Sequence, residues 1–253
     1  MSLVPPTAHG SGSRRSVAPR RVLIVDDNAD MRAVLSIALE SIGVHPIHTA
    51  ADAAEALRLI DTRFTRTDAN PPAITLDLLI VDIMMPAMNG LEFLRLLRER
   101  FGRLPPVMIV SALDAEVHVN EALALGALEY VPKPIEIELF LYKVRALLSA
   151  ADGPPFHWVA FRGTELRVGG HEAVGLAISE SGVLVELAAG SGLVPGAVTP
   201  MASASFGQLG LGTRFHGHVV HVTPRDDREI VELTFVGLRQ ADMRRIRRFA
   251  LNH

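Results

Sequence analysis

Five times between Arg21 and Ala150, a short run of strand character, wholly apolar in three cases and weaker at Val44 to Thr49, is followed by a stretch with apolar residues at helical spacing. The runs are Val22 to Val25, Val44 to Thr49, Leu78 to Val81, Val107 to Val110 and Leu128 to Val131. The first helical stretch carries Met31, Val34, Leu35, Ala38, Leu39 and Ile42 and is closed by Gly43. Asp52 to Ile60 is the second. Asn89 caps the third, on Leu91, Leu94, Leu97 and Phe101. Asp114 to Leu125 is the fourth, ending at Gly126. Ile137, Phe140, Val144 and Leu147 mark the fifth. Parallel strands need crossover connections, usually helices. Strands that are apolar throughout must be covered on both faces. The pattern therefore predicts a doubly wound α/β fold around a five-stranded parallel sheet. The stretch TRFTRTDANPPAIT, residues 62 to 75, exceeds the usual helix-to-strand loop of ~2–6 residues and reads as a surface insertion.

After ADGPP the texture changes. Strands dominate, punctuated by glycine: Thr164 to Val168, Ala173 to Ser179, Val183 to Leu187, His216 to Val222 and Glu229 to Phe235. One helix, QADMRRIRRFAL, closes the chain with Met243, Ile246 and Phe249 on one side. Short strands with glycine turns predict a small β-barrel or sandwich. The expected division is a flexible tail over 1–20, an α/β domain over 21–150, a linker over 151–156 and a barrel domain over 157–253.

Hydrophobic content of 49% supports a real core, and a net charge of −3 gives no general attraction to nucleic acid or anionic membrane. Residues 21–150 hold twelve basic and eighteen acidic side chains, whereas 151–253 balance at ten each. The absence of cysteine excludes disulfides and thiolate metal sites. No run reaches the ~18 apolar residues of a membrane span. The pair Arg14-Arg15 leads into RVLIV and then Asp26-Asp27, not into an export signal's apolar core. A cytoplasmic protein without a membrane partner is expected.

In open parallel sheets, ligands bind beyond the carboxyl ends of the strands. Asp26 and Asp27 end the first run, Asp82 the third and Ser111 the fourth, and Lys133 follows the fifth. Singly, each aspartate reads as a cap or turn residue. Together, these five polar residues read as one site. Close carboxylates repel, and a hard cation relieves this. Mg²⁺ takes oxygen ligands and keeps some water. A carboxylate held beside it can attack a phosphoryl donor and become an acyl phosphate. Lys133 would neutralise the phosphoryl charge and Ser111 would donate to one of its oxygens. Only Lys133 and Lys143 among the 25 basic residues are lysine, so the compact ammonium in YVPKP is itself a signal. Pro134 allows a cis peptide beside it.

The stretches VLIVDDN, LLIVDIMMPAMNG, MIVSA and YVPKP resemble the receiver domain of bacterial two-component response regulators. The resemblance implies that Asp82 is the phosphoacceptor. It implies Mg²⁺ bound directly by Asp27, through water by Asp26, and also by Asp82 and the Met84 backbone carbonyl. Ser111 and Lys133 become the switch and charge-neutralising residues, with serine in place of the commoner threonine. Tyr130 matches the aromatic that turns inward on activation. The implied partner is a sensor histidine kinase or a phosphotransfer protein, and receivers often form homodimers.

The stretches VGLAISESGVLVE, GTRFHGHVVHV and IVELTFVGLRQADMRRIRRFA resemble a PilZ domain, a small β-barrel family in which many members bind cyclic di-GMP. Of that family's nucleotide motif, Ser179 and Gly182 match, but Ala177 stands at the acidic or amide position. Its upstream arginine pair, with three residues between, is absent. Arg162 and Arg167 are one residue too far apart, which on a continuous strand puts them on opposite faces. The nucleotide site reads as degraded. His216, His218 and His221 read as ordinary surface or half-buried residues. Arg244, Arg245, Arg247 and Arg248 read as a solvated or protein-contacting face, with no helix-turn-helix pattern for nucleic acid.

The expectation is a response regulator phosphorylated on Asp82, with a PilZ-like domain acting on an unknown protein partner. A dual phosphorylation and cyclic di-GMP receptor, and a DNA-binding regulator, are the alternatives. None is a metabolic enzyme, and any hydrolysis would be slow self-dephosphorylation.

Overall fold

A computed structural model describes residues 20–68, 72–113, 116–148, 159–179, 182–203 and 214–238, together with Asp242, Arg244, Arg245, Ile246 and Arg248. The tail over 1–19, the expected linker, Met243, Arg247 and Phe249 lie outside the described residues.

Strands β1 (Val22–Val25), β2 (Ile47–Ala50), β5 (Leu78–Val81), β6 (Val107–Ser111) and β7 (Glu129–Pro132) form one parallel sheet in the order β2-β1-β5-β6-β7. Helices α1 (Ala29–Ser41), α2 (Ala53–Leu59), α3 (Gly90–Phe101) and α4 (Glu116–Ala124) supply the four crossovers, and α5 (Ile137–Leu148) follows the last strand. Alternation along the strands divides the core in two. Leu23, Val25, Leu79, Val81, Val107 and Ile109 face α2, α3 and α4, whereas Val22, Ile24, Leu78, Ile80, Met108 and Val110 face α1 and α5. The unbroken apolar runs are therefore buried on both faces, as the doubly wound reading requires.

Local chemistry sets the boundaries. Asn28 caps α1 through the Met31 N–H, and Asp52 caps α2 through the Glu55 N–H. Asn89 and Glu92 form a reciprocal capping box at the start of α3. Such caps contribute about 1 kcal/mol each. The second strand starts at Ile47, three residues later than expected, after a cis His45–Pro46 peptide. The expected insertion carries secondary structure of its own. A π turn (Ile60–Phe64) continues α2, and β3 (Thr65–Arg66) pairs with β4 (Ala73–Ile74) in a two-stranded ribbon. Phe64 anchors it in the core.

The second half is a closed antiparallel barrel of six strands in the order β10-β13-β12-β11-β8-β9. They are β8 (Val159–Val168), β9 (His171–Ile178), β10 (Gly182–Ala188), β11 (Val198–Ser203), β12 (Arg214–Arg225) and β13 (Arg228–Val236). Sequence reading passed over β11, whose Pro200 and small residues hide the strand pattern. Asp242, Arg244, Arg245, Ile246 and Arg248 are helical, and Ile246 is fully buried in the barrel core. No helix among the described residues is long and apolar enough to cross a membrane.

Candidate functional site at the carboxyl edge of the sheet

β1 and β5 are neighbours in register, so the residues just past them meet. Val25 pairs with Val81, and the Asp82 N–H donates to the Val25 carbonyl at 2.8 Å. Carboxylate oxygens of Asp26, Asp27 and Asp82 lie within 4.8 Å of one another. Asp26 and Asp82 are buried and Asp27 is exposed, which gives the cluster one open side. Isolated carboxylates would not stay charged there, and each buried one has partners. Asp26 accepts from the Asn28 N–H at 2.9 Å, and Asp82 accepts from the Met84 N–H at 3.0 Å. The Met84 residue is half-exposed at the rim.

Lys133 arrives from the far side of the sheet. β6 and β7 stay in register to Ser111 and Pro132, and the Lys133 N–H donates to the Ser111 carbonyl at 2.8 Å. The ammonium therefore reaches both buried carboxylates, at 2.8 Å from Asp26 and 2.6 Å from Asp82. Burial depresses its pKa, but hydrogen bonds and Coulomb attraction from Asp26 and Asp82 outweigh that and hold it above the ordinary lysine value. The Lys133–Pro134 peptide is cis. Ser111 is fully buried, and its hydroxyl lies 3.4 Å from the Leu113 N–H. Tyr130 is buried, and its hydroxyl donates to the Leu113 carbonyl. The structure thus brings Asp26, Asp27, Asp82, Met84 and Lys133 to one edge, with Ser111 and Tyr130 tied to the loop after β6.

The donor set is entirely oxygen, with three carboxylates and an adjacent backbone. That fits a hard divalent cation such as Mg²⁺ and not a soft transition metal.

Residues 22–145 match the family described as "Response regulator receiver domain". This part of the chain is a response regulator receiver domain. The match ends before the barrel. The chain is 33% identical over 155 residues to the alkaline phosphatase synthesis transcriptional regulatory protein SphR of Synechococcus elongatus, covering 61% of this chain and 56% of that one. It is 36% identical over 139 residues to response regulator MprA of a Mycobacterium species, covering 54% and 55%. The chain thus spans about half the length of the curated relatives it matches. Among solved structures, the Francisella response regulator 1452 receiver domain is 30% identical, with a TM-score of 0.44, over 51% of this chain and 96% of that one.

Sequence reading missed two features of the receiver. Gly90, at the start of α3, lies so close to Asp82 that a Cβ would come within 2.2 Å of the Asp82 carbonyl oxygen. The other is Glu129, one residue before Tyr130, which is wholly buried and bonded to Lys143 and to the barrel. The scarcity of lysine pointed equally to Lys143, but nothing local pointed to its partners.

The barrel residues stand apart. Ser179 and Gly182 hydrogen-bond each other between β9 and β10, with Ser179 N–H to Gly182 carbonyl at 2.9 Å and Gly182 N–H to Ser179 Oγ at 3.1 Å. A Cβ at Gly182 would lie 2.1 Å from the Leu233 carbonyl oxygen. The alternation argument for Arg162 and Arg167 fails, because β8 carries register shifts between Ala160 and Leu166. Arg167 donates to the Gly170 carbonyl, and the Arg162 side chain lies outside the described residues. His218 is not an ordinary surface residue. It is 2% exposed, with Nδ1 lying 3.4 Å from Glu129.

Proposed function

We propose that this protein accepts a phosphoryl group on Asp82 and acts as a switch, and that it is not a metabolic enzyme. The observation that carries the reading is the ammonium of Lys133 held between two buried carboxylates, with a third carboxylate on the open side. Asp26, Asp27, Asp82 and the Met84 carbonyl would hold Mg²⁺. That ion supplies charge neutralisation for an anionic phosphoryl group. Asp82 provides the attacking carboxylate oxygen. Lys133 moves from pairing carboxylates to pairing the phosphoryl oxygens. Ser111 turns its hydroxyl from the Leu113 N–H to the same group. The donor would be a sensor histidine kinase or phosphotransfer protein, and self-dephosphorylation would be slow.

The output is a protein contact made through the barrel, whose sequence resembles PilZ. The hairpin roles of Ser179 and Gly182 favour this over a cyclic di-GMP receptor. Relatives named as transcriptional regulators keep a DNA-binding reading as an outcome to be tested. Intact mass after incubation with a small acyl phosphate and Mg²⁺ tests the main reading. One phosphoryl group should appear on the natural chain and none on Asp82→Asn. Equal uptake by the variant at that peptide overturns it.

A further inference from the structure

β7 is an edge strand of the receiver sheet, and an edge leaves backbone groups unpaired. The end of β13 covers part of it. The Gly237 N–H donates to the Tyr130 carbonyl at 3.3 Å, and Val236 joins the apolar cluster that holds Tyr130. Gly237 has φ +67°, and a Cβ there would lie 2.4 Å from Val119 Cγ1 of α4. Deeper in the same contact, Glu129 accepts from Lys143 Nζ at 2.5 Å and from Thr234 Oγ1 at 2.7 Å. Lys143 donates again to the Phe235 carbonyl, and Tyr142 donates to Glu232 at 3.1 Å.

The Glu129–Lys143 pair belongs to the receiver, but its other bonds come from the barrel. A buried ion pair adds little net stability, because desolvation opposes the Coulomb gain. Its directed bonds fix one register of docking, and the charges regain water if the barrel leaves. The docked barrel is therefore specified without being locked.

Tyr130 is gripped at both ends. Its hydroxyl holds the Leu113 carbonyl, and its own carbonyl holds the Gly237 N–H. Leu113 lies two residues past Ser111, whose hydroxyl is the group read above as meeting the phosphoryl oxygens. A ring held in place keeps that loop in place, and a site already organised binds more tightly.

We propose that Gly237 and Glu129 are positioning residues for Tyr130, so that barrel docking and phosphoryl binding at Asp82 favour the same conformation. This rests on the phosphoacceptor reading. Linkage makes the coupling reciprocal, so a contact far from Asp82 sets the affinity there.

The experiment is calorimetric titration of beryllofluoride with Mg²⁺ into the full chain, for the natural protein, Gly237→Ala and Thr234→Val. Gly237→Ala wedges the interface and should weaken binding about fivefold or more, the lower end of ordinary coupling. Thr234→Val removes one bond to Glu129 and should weaken it in the same direction. Hydrogen exchange of the Gly237 amide in the natural protein should slow when the mimic binds, a readout that needs no variant. Unchanged or tighter binding in a folded variant overturns the coupling, as does exchange that fails to slow. Failure of the natural protein itself to bind the mimic overturns the phosphoacceptor reading, and this one with it.

Discussion

Lys133 Nζ stands 2.6 Å from Asp82 Oδ2, while the Lys133 peptide N–H stands 2.8 Å from the Ser111 carbonyl. One residue thus fixes the strand end to β6 and delivers a charge to the centre of the sheet edge. Hydrogen bonds to charged groups contribute about 1.5–3 kcal/mol. Lys133→Ala should therefore slow phosphoryl uptake from a small acyl phosphate by roughly tenfold or more. Lys133→Arg should not restore it, because a planar fork cannot occupy the place of a compact ammonium between two carboxylates. Time-resolved intact mass reads both. Uptake by Lys133→Ala at the natural rate would remove the lysine from the chemistry.

Gly90 packs against the backbone that carries Asp82. The added Cβ of Gly90→Ala would meet backbone atoms, which cannot turn aside like a flexible side chain. Overpacking of this kind costs about 1–3 kcal/mol. Urea unfolding should register that loss, and phosphoryl uptake should fall with it because Asp82 must shift. A variant with natural stability and uptake would mean that α3 gives way freely.

The receiver was legible because its strand cores are continuous and its polar residues sit at strand ends. β1 and β5 begin and end where the apolar runs do, at Val22–Val25 and Leu78–Val81. Asp26, Asp82 and Lys133 converge because parallel register carries local sequence to a shared edge. The barrel was less legible. β11 contains Pro200, and β8 carries irregular register, so neither shows clean alternation. The contact between Glu129 and the barrel could not be read at all. Its barrel partners His218 and Thr234 lie 89 residues or more away in the sequence, and no local pattern encodes such a meeting.

Ser179 and Gly182 hydrogen-bond each other between the end of β9 and the start of β10. Cyclic di-GMP titrated into the full chain should give no heat. Ser179→Ala should lower stability by about 1 kcal/mol, the worth of an ordinary hydrogen bond, with no nucleotide phenotype. Micromolar binding lost in Ser179→Ala would make this pair a ligand site.

Arg244, Arg245 and Arg248 of the closing stretch are exposed and offer a basic face that could meet a phosphate backbone. A chain with a net charge of −3 should bind duplex DNA weakly, with affinity falling as salt rises and no preference for sequence. Fluorescence anisotropy across salt concentrations checks this. Tight binding to one duplex that survives salt would establish the DNA-binding reading.

Acid should loosen the receiver–barrel contact through Glu129. Burial alone would push this carboxyl up, but the Lys143 charge and hydrogen bond, with His218 beside it, bring it below its ordinary value of 4.5. A carboxyl depressed in the folded state binds fewer protons there than when unfolded. Its contribution is thus complete above the unfolded value and is lost as pH falls through the folded one. Lys143 and His218 are the charged or titratable groups in contact with it, and both carry donors that a protonated Glu129 could no longer serve as an anion. Urea unfolding from neutral pH downward should show stability falling below about pH 5. Glu129→Gln should be less stable at neutral pH by about 3–5 kcal/mol, because it leaves Lys143 buried without its anion. Its stability should fall less steeply with acid than that of the natural protein. Equal slopes in the two would mean that Glu129 is not the group whose protonation opens the contact.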